Sequence, residues 1–98
     1  MAIFAISFRV KDTGNRQERW QSMVDKIREI ASKSWDETTS FFIIEANRTA
    51  GSLADAIYFE TEMAASDTLL VVNLSTKVYA KHGEIKYPNT LDSLMSSR

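Results

Sequence analysis

Two stretches of this chain are apolar at every position, and they constrain its fold more than anything else in it. Phe41-Phe42-Ile43-Ile44 and Leu69-Leu70-Val71-Val72 lie inside longer β-branched and aromatic runs, Thr39 to Ala46 and Thr68 to Leu74. Runs of this kind form strands, and successive strand side chains point to opposite faces. Phe42 and Ile44 thus oppose Phe41 and Ile43, and Leu70 and Val72 oppose Leu69 and Val71. Both faces of these strands need cover.

The opening strand, Ala2 to Val10, alternates instead. Phe4, Ile6, Phe8 and Val10 face one side, while Ile3, Ala5, Ser7 and Arg9 face the other. A polar turn, Lys11 to Gly14, follows. Asn15 with Glu18 three residues on is close to a capping box, and Trp20, Met23, Val24, Ile27, Ile30 and Ala31 recur at helical spacing, predicting an amphipathic helix over 16–32. Lys33 to Glu37 predicts a brief edge strand. Asn47 to Gly51 is a turn. Ser52 with Asp55 marks a second helix start, carried by Leu53, Ala56, Ile57 and Met63 to Ala64. Val78 to Ala80 predicts a last short strand, and Thr90 to Ser96 one or two loose helical turns.

The order is β-α-β-β-α-β with a C-terminal extension. Two helices on one face of an antiparallel sheet, the ferredoxin-like plan, is the economical solution. The expected architecture is therefore a single α+β domain over residues 1–98, with its core in 1–81 and the extension in 82–98. Two helices cover one face only, so Ile3, Ala5 and part of the central strands would leave an apolar patch in water. A homodimer through the non-helix sheet face would bury it; the alternative is a C-terminal segment folded back as a lid.

Composition excludes several classes. The 98 residues contain no cysteine, hence no disulfide framework, thiolate metal site or cysteine nucleophile. The 12 basic and 13 acidic residues are well mixed and give a net charge of -1, without the basic excess expected of a non-specific nucleic-acid binder. No apolar run approaches the ~18 residues of a membrane span. Nor does a basic segment lead into an apolar one, so a cytoplasmic location is the expectation. The three glycines, at 14, 51 and 83, form no phosphate loop, and no cofactor is expected.

MAIFAISF, the helix after it, TSFFIIEA and SDTLLVVNLSTKVYA together resemble the SinR-like branch of small Cas-two-like proteins, a family related to VapD-type ribonucleases. The similarity spans residues 1–81 in element order, and AIFAISF and the LLVV strand followed by VYA carry most of it. The resemblance implies a homodimer of ferredoxin-like protomers whose first strands end near the two-fold axis. In catalytic members an aspartate there holds a divalent metal that activates water for phosphodiester cleavage. The matching position here is Arg9, whose permanent charge cannot ligate a cation.

Arg9 is accordingly a candidate interface or anion-binding residue. Its expected partner is Asp67, Asp36 or Glu37 in an ion pair; without one, paired arginines near a two-fold axis would take a phosphate or an acidic partner. Asp12 is a candidate displaced metal ligand, with Asp67 as the second carboxylate of a metal-dependent nuclease; a polar turn explains it equally well. Asp36 and Glu37 would point to opposite faces and form no acid/base pair. Lys77, Lys81 and Lys86, with Tyr79 and Tyr87 interleaved, are candidate nucleic-acid contacts, although a solvated edge strand gives the same pattern. Trp20 belongs to the core stripe, and Trp35 is a candidate base-stacking residue. His82, the only histidine, has no nucleophile to serve and is expected to be solvated. The expected function is a non-catalytic, homodimeric binding or scaffolding protein. The competing readings are the metal-dependent nuclease and a small antitoxin or inhibitor acting through Asp55, Glu60 and Glu62.

Overall fold

The computed structural model describes residues 1–97 and shows an α+β protein. In chain order the elements are β1 (Ala2–Arg9), α1 (Arg16–Ile30), β2 (Lys33–Trp35), β3 (Phe41–Ala46), α2 (Ala50–Phe59), β4 (Thr68–Asn73), β5 (Tyr79–Gly83) and α3 (Pro88–Ser96). Five strands make one antiparallel sheet in the order β2-β3-β1-β4-β5. This is compatible with a ferredoxin-like plan, but the strand count and order extend beyond the four-stranded form. Among the described residues, no helix is long and apolar enough to cross a membrane.

The core follows from the alternation. Phe4, Ile6 and Phe8 of β1 are buried beside Phe42 and Ile44 of β3 and Leu69 and Val71 of β4. Met23, Val24 and Ile27 of α1 and Leu53, Ala54 and Ile57 of α2 close over them. Each such large side chain contributes about 1.5–3 kcal/mol on burial, so the helix face holds most of the folding free energy. Trp20 packs at the rim of this core, its indole N–H donating to Ser40 Oγ at 3.3 Å.

Local details depart from the sequence reading in physically instructive ways. The cap of α2 is Thr49, not Ser52: Thr49 Oγ1 accepts from the Ser52 amide and Ser52 Oγ from the Thr49 amide, both at 3.0 Å. Asn15 precedes α1, but its side chain accepts from Arg19 Nη1 at 2.7 Å instead of capping the helix. β5 is longer than the predicted Val78 to Ala80, because its polar residues alternate correctly. Tyr79 and Lys81 pair with Val72 and Leu70 on the helix-free face, and Ala80 and His82 pair with Val71 and Leu69 on the helix face.

His82 is therefore not solvated as expected. Its Nε2 lies 2.7 Å from Asp55 Oδ1 of α2, and its ring stacks on Tyr58 at 4.6 Å with Phe59 edge-on at 5.5 Å. α3 returns to the helix-free side of β5 but buries none of its residues. Asp92 Oδ1 accepts from Tyr79 OH and from Lys81 Nζ, each at 2.7 Å. The extension is thus a tether at one edge, while Ile3, Trp35 and Ile43 on the same face stay exposed.

Gly83 ends β5 at φ +84°, and a Cβ added there would lie 1.8 Å from the Asp67 carbonyl oxygen. The left-handed backbone alone costs a non-glycine residue about 1–3 kcal/mol, and a clash with main chain cannot be relieved by a side-chain rotation. Gly83→Ala is expected to lower the urea midpoint well beyond Gly14→Ala, whose Cβ would meet nothing within 4 Å. Equal midpoints for the two variants would refute the close approach.

Candidate anion site at the end of the central strand

The C-terminal end of β1 is organised around a buried ion pair. Arg19, in the first turn of α1, lies on the same i, i+4 ladder as Met23 and Ile27 and is only 4% exposed; Asp67, just before β4, is fully buried. Arg19 Nε donates to Asp67 Oδ2 at 3.1 Å and Nη2 to Oδ1 at 3.4 Å. The rest of the guanidinium donates to the Lys11 carbonyl at 2.8 Å, the Thr13 carbonyl at 2.9 Å and Asn15 Oδ1 at 2.7 Å. Asp67 also accepts from the amides of Lys11 and Ala64, both at 2.9 Å. A buried pair is tolerated only when its remaining donors and acceptors are satisfied in this way.

Burial works against ionising Asp67. The Ala64 amide, the Arg19 guanidinium and the Lys11 amide outweigh it and hold the carboxyl below its ordinary value of 3.8. The same residue fixes the chain beyond β5. The Glu84 amide donates to the Asp67 carbonyl at 2.8 Å, and Thr68 Oγ1 donates to the Glu84 carbonyl at 2.6 Å. Lys11 and Glu84 therefore both hang on Asp67, one from its carboxylate and the other from its backbone.

Arg9 emerges on the opposite, helix-free side of this scaffold, in register with Thr68. Its Nη2 donates to Thr68 Oγ1 at 3.3 Å. Arg9, Lys11, Glu84 and Lys86 line a surface cavity of ≈ 350 Å³. Lys11 Nζ stands 3.8 Å from Glu84 Oε2, and Lys86 Nζ lies 5.4 Å from the ring centre of Tyr87. Three cations thus share the space with one carboxylate.

The expected partners of Arg9 are all elsewhere. Asp67 belongs to Arg19 on the helix side. Asp36 Oδ2 accepts from Arg28 Nη2 at 2.6 Å, and Glu37 Oε2 accepts from the Trp35 indole at 2.6 Å. Asp12 is exposed in the turn after β1, and the carboxylate meant to join it in a metal site is the one committed to Arg19. Among the described residues, no group of three or more potential ligands could hold a metal ion.

The basic run does not assemble into one surface either. Lys77 occupies the β4–β5 turn at φ +68°, held by its amide to the Asn73 carbonyl at 2.7 Å. Lys86 lies past the other end of β5, roughly 16 Å of strand away. Between them, Lys81 and Tyr79 are occupied by Asp92, whose carboxyl is held below its ordinary value by hydrogen bonds from Lys81 and Tyr79. Of the acidic residues near α2, Asp55 is engaged by His82 and Glu60 by Lys26 at 3.3 Å, while Glu62 is exposed.

Arg19 is the residue that sequence reasoning missed. Its signal was its position: a charge on the buried ladder 19–23–27 requires a buried counter-charge.

Removing one member of the pair leaves the other charge buried. Asp67→Ala is expected to lose about 3–5 kcal/mol of unfolding free energy by urea titration. Since the folded-state value of Asp67 is lowered, its stabilisation is complete above the ordinary value of 3.8 and is lost as pH falls through the folded one. The wild-type stability should therefore decline in acid more steeply than that of Asp67→Ala. For α3, Asp92→Asn weakens the anchor to Lys81, so hydrogen exchange in 88–96 should accelerate while β1 and β4 stay protected.

Compared with family models, curated proteins and solved structures, the chain matches none.

Proposed function

We propose that this chain is a non-catalytic binding protein that works as a homodimer, a SinR-like relative of the Cas-two-like ferredoxin-fold proteins that engages a protein or nucleic-acid partner through its dimer surface. The observation that carries the reading is the helix-free face. Register places Trp35, Ile43, Ala5, Val72 and Tyr79 in one row across all five strands, with Phe41, Ser7, Leu70 and Lys81 in the next. Ile3 and Ile43 are each 36% exposed and Trp35 42%, around a cavity of ≈ 480 Å³.

A second copy is the occupant that electrostatics favours. The central row carries no ionised side chain, Lys33 is paired across strands with Glu45, and Lys81 is neutralised by Asp92. An uncharged central row does not repel its own copy, and a two-fold contact places like surface on like surface. Arg9 stands where the resemblance would require a carboxylate, which supports binding over phosphodiester chemistry.

Sedimentation velocity at micromolar concentration is expected to give a dimer. Ile43→Lys combined with Val72→Lys, placing charge in the middle of the row, should give a monomer with an unchanged circular dichroism spectrum. A wild-type monomer under these conditions would sink the reading.

A further inference from the structure

We propose that the cavity at the end of β1 binds a phosphate monoester carried beside a planar ring, chemically a mononucleotide, through Arg9, Lys11 and Lys86. The proposal deepens the binding half of the reading above. It is independent of the dimer half, because one protomer supplies every residue of the cavity.

Charge is the first argument. Three cations against Glu84 leave a net +2 in one cavity, and a phosphate monoester carries about −1.5 to −2 at neutral pH. Four cations elsewhere are neutralised singly by a carboxylate: Arg19 by Asp67, Arg28 by Asp36, Lys26 by Glu60, Lys81 by Asp92; the cavity instead gathers three around one. Here Lys11 alone faces a carboxylate, Glu84 at 3.8 Å. Arg9 makes a single long hydrogen bond to Thr68, and Lys86 has no hydrogen bond or ion pair among the described residues. A guanidinium fork beside two ammonium groups matches the three oxygens of a phosphoryl group.

The second argument is preorganisation. Lys11 is pinned through its amide to Asp67 and through its carbonyl to Arg19, and Glu84 through its amide to Asp67 and its carbonyl to Thr68. Little backbone freedom remains to be lost on binding. The third is the neighbour. Tyr87, the residue after Lys86, does not line the cavity but is 64% exposed with Lys86 Nζ 5.4 Å from its ring centre, an aromatic surface one residue from the cavity wall. The cavity also favours a compact ligand over a polymer. A nucleic-acid backbone needs a track of positive charge, but Lys81 is neutralised and Lys77 lies at the far end of β5.

Calorimetric titration of the full chain with adenosine monophosphate, adenosine, inorganic phosphate and a single-stranded octanucleotide tests this. Adenosine monophosphate should bind and adenosine should not. Arg9→Gln and Lys86→Gln should each weaken binding about tenfold or more, the scale of a lost charge-assisted hydrogen bond. Lys77→Gln should leave it unchanged, and Tyr87→Ala should weaken the nucleotide but not inorganic phosphate. Absence of nucleotide binding, or nucleotide binding indifferent to Arg9→Gln, overturns the site. Inorganic phosphate binding as tightly as the nucleotide overturns the planar-ring requirement. An octanucleotide binding tighter than the mononucleotide, with loss in Lys77→Gln, overturns the compact ligand class. Sedimentation of the same samples reads the dimer separately, so failure of one reading is distinguishable from failure of the other.

Discussion

The buried contact between Arg19 and Asp67 joins parts of the chain that share little else. It ties the turn after β1, the first turn of α1 and the loop before β4 into one knot with every donor and acceptor used. The apolar core would collapse without it, but collapse alone does not fix where the loops sit. A hydrogen-bonded charge pair does, since each alternative arrangement leaves a charge in low dielectric without a partner. Position matters here because the backbone of Lys11 and that of Glu84 are both hung from Asp67, so the geometry of the cationic cavity is inherited from a residue that does not line it.

Much of the fold could be read from local pattern. The alternation of Phe4, Ile6 and Phe8 assigned the core face of β1, and the FFII and LLVV runs marked β3 and β4 as needing cover on both sides. What local pattern missed was long-range and polar. Asp67 and Arg9 were correctly brought to the same end of the sheet, where Arg9 meets Thr68 in register. The one-residue step from Thr68 to Asp67 reverses the face, and the carboxylate meets Arg19, 48 positions earlier in the chain. β5 was underestimated because Lys81 and His82 look like solvated residues. Each instead has a carboxylate supplied by a helix, Asp92 and Asp55 respectively. Candidate sites suffered most: Lys77 and Lys86 share a sequence neighbourhood but lie at opposite ends of a strand.

The two sides of the sheet are stabilised by different means. The helix side is closed by burial of large apolar groups, with His82, Tyr58 and Phe59 clasping α2 to β5. On the opposite side α3 is held at one border through Asp92, leaving a neutral apolar centre and a cationic corner. A buried apolar core and a partly exposed apolar face thus occupy opposite sides of the same five strands.

The borders of the sheet decide how copies can meet. β2 has three residues and begins with Lys33, and β5 is stopped at Gly83 by a backbone turned to positive φ. Neither offers the long flat edge on which another chain could add strands. Continuing the hydrogen-bond ladder, the route toward fibrils, is therefore disfavoured most at the three-residue β2 edge, and at the β5 edge any added strand would lose its register where Gly83 turns the chain away.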